Sequence, residues 1–425
     1  MRILAVEPYS GTPGHFDWFA IRTCEGWSRR GHEVTLATYS GISFVNLPVI
    51  TPFRVVDAGG RSARDSDARL VDGKIDLRSW RSFVKRQSQE LKTFYHAFSL
   101  MREEAFDVVY FLDADPVSLL VALRTMVKRR DAERIAILAH LHETSRLEPT
   151  KRSRARAWRA LSRYALSRLI KKDLDALIVC DDFLKSQLID RLRLSGPAGN
   201  KVHVLPHGMD EPQDRGDKEG ARRRLNLSPD ETIFLLFGGL RKNKRIDLAL
   251  EAIRGLRSCR LLIAGIPQDY NAAGVQELIR TRRCEEFVST EVRYIDEGRM
   301  HDYFLASDAV ILPYAADFKG QSGILTRACS HGKSVIASDV GALGRTVREA
   351  GNGLVVEPES ADRLRAAMNE FLSLKPEDRM QMEAKSRFLA TRQSWISVCS
   401  QVEDICSRIL NRKKGRAIAG QTAAH

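Results

Sequence analysis

Two short segments of this chain combine glycine with cations or hydroxyls in a way suited to holding a phosphate. The first is Phe237-Gly238-Gly239-Leu240-Arg241-Lys242-Asn243-Lys244-Arg245-Ile246-Asp247. An apolar run leads into a glycine pair, then a cationic loop, then an apolar helical pattern. Glycine lets the backbone approach a ligand closely. The planar guanidinium of Arg241 can fork onto a diphosphate, and the ammonium of Lys244 supplies a point charge. A solvated basic turn is the plainer reading of the same residues. The second segment is Gly320-Gln321-Ser322-Gly323-Ile324-Leu325, a helix opening at which backbone N–H groups can meet an anion. A third, Pro8-Tyr9-Ser10-Gly11-Thr12-Pro13-Gly14-His15, precedes another helical pattern. Its Gly11 and Gly14 permit close approach, but the spacing is not the dinucleotide fingerprint, and an ordinary turn accounts for it as well.

Each segment follows an apolar run, and ligands of open α/β sheets bind beyond the carboxyl ends of strands. Short β-branched runs alternate with helical stretches along most of the chain, the pattern of parallel sheets covered by helices. Strands are expected at Ile3–Glu7, Glu33–Thr38, Val108–Leu112, Ile135–Leu141, Ala176–Cys180 and Val202–Leu205, then at Ile233–Phe237, Arg260–Ala264, Val292–Ile295, Ala309–Leu312, Ser334–Ala337 and Leu354–Val356. Two such sets predict two doubly wound domains, with the seam between Leu205 and Asp230, where prolines and glycines interrupt a charged stretch. The expected divisions are 1–210, 211–390 and 391–425. In the last, Trp395, Ile396, Val398, Val402, Ile405 and Ile409 recur at helical spacing. Beyond Asn411 that pattern stops, and Lys413 to His425 is expected to fray.

A length of 425 residues with 43% hydrophobic content suits two domains with real cores. No run approaches the roughly 20 apolar residues of a membrane-spanning helix, and the first residues read as a strand rather than a signal peptide. The seven cysteines are scattered without a Cys-x-x-Cys pair, which predicts buried thiols in a reducing cytoplasm and no metal site. The formal charge of +14 favours an anionic partner: a phosphorylated substrate, an acidic membrane surface or nucleic acid. No recognisable nucleic-acid module accompanies it, so nucleic acid is the least favoured. Residues 151–172 carry nine cations and no acid, with Trp158, Leu161, Ala165, Leu166 and Leu169 as an apolar stripe. Such a helix either lies on an anionic bilayer or packs its stripe on the sheet and leaves a solvated face.

In order and spacing, the three glycine segments resemble the nucleotide-sugar glycosyltransferases of family 4, retaining enzymes of the GT-B fold. Arg30-Gly31-His32-Glu33-Val34-Thr35 resembles that family's lead into its second strand. Leu205-Pro206-His207-Gly208-Met209-Asp210 looks like its interdomain segment, and Asp308–Tyr314 with Gln321–Leu325 follows the form of one branch. Ser394-Trp395 matches the start of its last helix, which crosses back onto the first domain. The resemblance covers nearly the whole chain. It implies two Rossmann-like domains facing a cleft, with Arg241 and Lys244 binding the donor diphosphate. Gly238, Gly239, Gly320, Ser322, Gly323 and Ile324 would complete the donor site, and Gly11 and Gly14 would lie near the phosphates. His142 would line the reaction centre as a catalytic residue, with His15 and His207 on the acceptor side; a hydrogen-bonded core role for His142 stands beside that reading.

The expected function is transfer of a sugar from a nucleotide-diphosphate donor to a glycan or lipid-linked acceptor with retention of configuration. No metal or other cofactor is expected, and the location is the cytoplasm or the inner face of the membrane. One departure opens an alternative. The family's two carboxylates would fall at Lys319 and Arg327, and a later glutamate at Arg345. Three cations in place of acids point to a donor of unusual charge or to a non-catalytic GT-B subunit; Asp317 is the nearby carboxylate that could substitute.

Overall fold

The computed structural model describes residues 1–9, 16–39, 53–58, 80–142, 153–212 and 216–422, which form two compact units. Unit 1 is Met1–Pro206 with Trp395–His425, and unit 2 is His207–Ser394. The strands of unit 1 are β1 (Arg2–Glu7), β2 (Glu33–Thr38), β3 (Arg54–Asp57), β4 (Val108–Phe111), β5 (Ala136–Leu141), β6 (Ala176–Val179) and β7 (Val202–Val204). Those of unit 2 are β8 (Thr232–Phe237), β9 (Cys259–Gly265), β10 (Val288–Val292), β11 (Ala309–Leu312), β12 (Ser334–Ser338) and β13 (Gly353–Val356).

All the strand pairings are parallel, and the sheet orders are 3-2-1-4-5-6-7 and 10-9-8-11-12-13. Each order therefore reverses direction next to its first strand, between β1 and β4 and between β8 and β11. Central strands are buried on both faces, as parallel sheets covered by helices require. In β1, Leu4 and Val6 join one core while Ile3 and Ala5 join the core on the opposite face. In β8, Ile233, Leu235 and Phe237 face one way, Phe234 and Leu236 the other. This period of two means that a slip of one residue would exchange the faces.

Three features differ from the sequence-based expectations. The strand expected at Val292–Ile295 lies earlier, at Val288–Val292. It is an edge strand, half-buried throughout, so its polar Ser289, Thr290 and Glu291 weaken the apolar signal. An edge strand of the other sheet, β3, was not anticipated: it is exposed to half-buried along its length, and only Val55 and Val56 are apolar. The chain past Asn411 does not fray as expected: the last helix runs Trp395–Thr422. Lys413 anchors it by donating from Nζ to Ala132 O and Ile135 O, both at 2.7 Å, and pairing with Asp175 at 2.6 Å.

That helix enters the core of unit 1 through Trp395, Cys399, Val402, Ile405, Cys406 and Ile409. Trp27 Nε1 donates to Cys399 O at 3.3 Å, and a Cβ on Gly26 would sit 2.6 Å from Cys399 Sγ, so glycine permits the approach. The cationic helix Ser153–Arg168 continues into a π-helical turn, Leu169–Asp173. Its apolar stripe divides: Ala165, Leu166 and Leu169 are buried and Trp158 is half-buried, whereas Leu161 is 45% exposed, beside Tyr164 at 64%. All seven cysteines are buried, and none forms a disulfide.

Candidate functional site

The direction reversal between β8 and β11 places the loops after these two strands side by side, which is where such sheets bind ligands. β8 ends at Phe237, and Gly238 turns the chain at φ +99°, a conformation that favours glycine. A side chain there would also collide: its Cβ would lie 2.8 Å from Lys244 Nζ and 3.0 Å from Ile324 Cδ1. A short 3₁₀ turn, Lys242–Lys244, follows, and Arg245 at φ 45° starts the helix Ile246–Ile253. Ala315 N donates to Asn243 O at 2.8 Å, joining the loop after β8 to the loop after β11.

Lys244 is buried and donates to Phe237 O. Burial, with a smaller contribution from the Arg241 charge, pushes its pKa down to about 7. A buried amine without a counter-anion behaves this way because low polarity disfavours the ammonium. Arg241 is exposed, and its Nε donates to Gln268 Oε1. The same Gln268 explains Gly239, where a Cβ would fall 2.6 Å from its Oε1. Lys242 N donates to Asp269 at 2.9 Å, fixing the turn from the β9 side.

Across from the cationic turn, Ser322 caps the helix Gly323–Ser330 by accepting from Leu325 N. Its Oγ also lies 3.1 Å from the hydroxyl of Tyr314, a buried residue whose ring stacks on Phe318 at 4.2 Å. Burial raises the Tyr314 pKa, so the hydroxyl stays protonated and can donate. Gly320 lies against the Phe318 ring, and a Cβ on Gly323 would meet no atom within 4 Å, so space is open at the helix start. Gly238, Gly239, Arg241, Lys244, Ser322, Gly323 and Ile324 thus converge within unit 2. Sequence reasoning missed Tyr314 and Gln268: the tyrosine stood in the motif but carried no separate signal, and Gln268 follows β9, away from every glycine segment.

The remaining expected residues lie elsewhere. Gly11, Gly14 and His15 fall outside the described residues. His207 is buried at the start of unit 2, two residues before Met209, whose N–H donates to Gln393 O at 2.8 Å. His142 follows β5 in unit 1, donates from Nε2 to Leu112 O at 3.1 Å and stacks on His140 at 4.3 Å.

The sequence profile described as "Glycosyl transferases group 1" matches residues 217–387, and that of "Glycosyltransferase Family 4" matches residues 18–212. The chain belongs to the family 4 glycosyltransferases. A D-inositol 3-phosphate glycosyltransferase of Nocardia farcinica is 25% identical to this glycosyltransferase over 369 residues, 84% of this chain and 76% of that protein. The protein of the same name from Rhodococcus opacus is 30% identical over 192 residues, 43% of this chain and only 42% of its own length. Among solved structures, the sucrose-phosphate synthase of Thermosynechococcus elongatus superposes with a TM-score of 0.69 at 18% identity, covering 97% of this chain and 100% of that one. The Anabaena HepE complex with UDP and glucose gives 0.65 at 16% identity, covering 96% and 100%. These likenesses show a GT-B fold, which the two parallel sheets share.

Within this glycosyltransferase the three unusual cations have different surroundings. Arg327 is mostly buried and pairs with Asp210 at 2.8 Å and with Glu297, so its charge is balanced by a network joining its helix to neighbouring segments. Lys319 is exposed, and so is Asp317, while Arg345 is half-buried.

Proposed function

We propose that this family 4 glycosyltransferase carries a sugar from a nucleoside-diphosphate donor to a glycan or lipid-linked acceptor, with retention of configuration. The observation that carries the proposal is the convergence of Lys244 and the Ile324 helix start upon Gly238 at the sheet's reversal point. In this reading, the diphosphate lies between the Arg241–Lys244 turn and the first amides of the helix Gly323–Ser330. As the glycosidic bond opens, negative charge grows on the leaving phosphate, and fixed cations and amides offset it without reorganising. The protein's own cations then supply the charge compensation at the diphosphate. His142 is proposed to line the reaction centre. The relatives' names make a phosphorylated polyol a further acceptor to screen.

The test is to incubate the purified protein with UDP, GDP, ADP and TDP sugars and a panel of these acceptors, and to assign the anomeric configuration of any product by NMR. An inverted product would remove the stereochemical claim; absence of both transfer and donor hydrolysis would favour a second reading. That reading, a non-catalytic GT-B subunit, rests on the ion pairing that occupies Arg327 where an acid would face the donor.

The cationic helix Ser153–Arg168, with exposed Leu161 and Tyr164 among its arginines, supports a peripheral site of action on the inner face of the membrane. Among the described residues, no helix is long and apolar enough to cross a membrane. Co-sedimentation with vesicles should rise with anionic lipid and fall with salt; indifference to both would refute surface binding.

A further inference from the structure

We propose that His140, His142 and Cys180 form a transition-metal site of the zinc class at the carboxyl ends of β5 and β6 in unit 1. His140 and His142 are two residues apart at the end of β5, so their side chains emerge on one face. Leu141 pairs with Val179 in the neighbouring strand, which brings Cys180 level with them. One ligand atom from each residue lies within 4.8 Å of the other two, and His140 Nε2 is 3.2 Å from Cys180 Sγ.

Metal–ligand bonds of roughly 2.0–2.3 Å in a tetrahedron separate the ligand atoms by about 3.3–3.7 Å. The histidine–thiol pair already stands near that spacing, and from at most 4.8 Å the third atom needs a movement of up to about 1.5 Å. Both rings are also held from behind, as metal-ligating histidines are. His140 Nδ1 meets the Tyr110 hydroxyl at 2.8 Å. His142 Nε2 donates to Leu112 O at 3.1 Å, and a proton on Nε2 makes Nδ1 the ligand atom of that ring. Phe19 braces the two rings edge-on, at 4.9 Å and 4.6 Å.

Imidazole with thiolate selects zinc, cobalt or copper over magnesium and calcium, which prefer oxygen. Binding converts the Cys180 thiol to a thiolate: the proton shared by Sγ and His140 Nε2 leaves to solvent as the metal bonds to both atoms. Three protein ligands leave a fourth position for water. The ion would fix the orientation of His142. This inference stands on unit 1 alone and does not rest on the donor site proposed in unit 2.

The test uses the full chain, stripped of metal by a chelator and titrated with Co(II). The expected result is tetrahedral visible bands with a thiolate-to-cobalt charge-transfer band, saturating at one ion per chain and displaced by Zn(II). Cys180→Ser should abolish the charge-transfer band. Tyr110→Phe should keep it while weakening Co(II) binding about 10- to 100-fold. UDP binding and the thermal melt report whether each variant is folded, and Tyr110→Phe decides the matter if Cys180→Ser is not. No charge-transfer band in the wild-type protein, one that survives Cys180→Ser, or Co(II) affinity unchanged in Tyr110→Phe would overturn the assignment.

Discussion

Lys244 is the residue on which the donor proposal turns, because its buried position is costly unless an anion arrives. Its pKa is lowered from 10.5 to about 7 by burial, with a smaller contribution from the Arg241 charge. Between those values the unfolded chain holds the extra proton, so the associated stability is present above pH 10.5 and lost as pH falls toward 7. Lys244→Met should therefore raise the melting temperature near neutral pH, by on the order of 1–3 kcal/mol of stability, while weakening nucleotide binding. In the wild type, a bound diphosphate favours the ammonium. UDP affinity should fall by up to about tenfold per pH unit above 7, read by calorimetry from pH 6 to 9. A flat profile, or a variant that is destabilised without loss of affinity, would contradict this role.

At the scale of elements, the loop after β11 and the helix it opens depend on Ser322, which caps the helix and meets Tyr314. Ser322→Ala should cost about 1 kcal/mol, visible as a lower denaturation midpoint, and should weaken UDP binding because the first amides lose their fixed position. Unchanged UDP affinity would show that those amides do not meet the phosphate. The elements themselves were largely legible in the sequence, because buried parallel strands are apolar on both faces and stand out as runs such as Ala309–Leu312. Two of the edges were not: β3 has only Val55 and Val56 as apolar residues and is nowhere fully buried, and β10 carries Ser289, Thr290 and Glu291 in succession where solvent reaches it. The glycine–cation turn could be read locally, since close approach and charge are properties of neighbouring residues. Gln268 beside Arg241 and Cys180 beside His140 could not, because strand order brings these partners together, and Tyr314 beside Ser322 depends on the path of the loop after β11. Lys413 was misread for the same reason: its anchors, Ala132, Ile135 and Asp175, lie more than 200 residues away.

For the molecule as a whole, acid should act on unit 2 through His331. This ring donates from Nδ1 to Arg327 O at 2.8 Å and meets His301 Nδ1 with Nε2 at 2.9 Å. Burial lowers its pKa from 6.5 to about 4, so the stability tied to the neutral ring is present above pH 6.5 and lost as pH falls through about 4. Melting of the wild-type protein should fall across that window, and His331→Gln should show a shallower dependence; an equal slope would place the acid sensitivity elsewhere. The central claim is that a cationic turn and a glycine-lined helix start hold the donor's diphosphate together. Isothermal calorimetry of UDP and a UDP sugar with the wild type and an Arg241→Ala/Lys244→Met double variant tests it most directly. Binding to the wild type, with proton uptake at pH 8 and a loss of at least about tenfold in the folded double variant, is the predicted result. Equal affinities in the two proteins would contradict it.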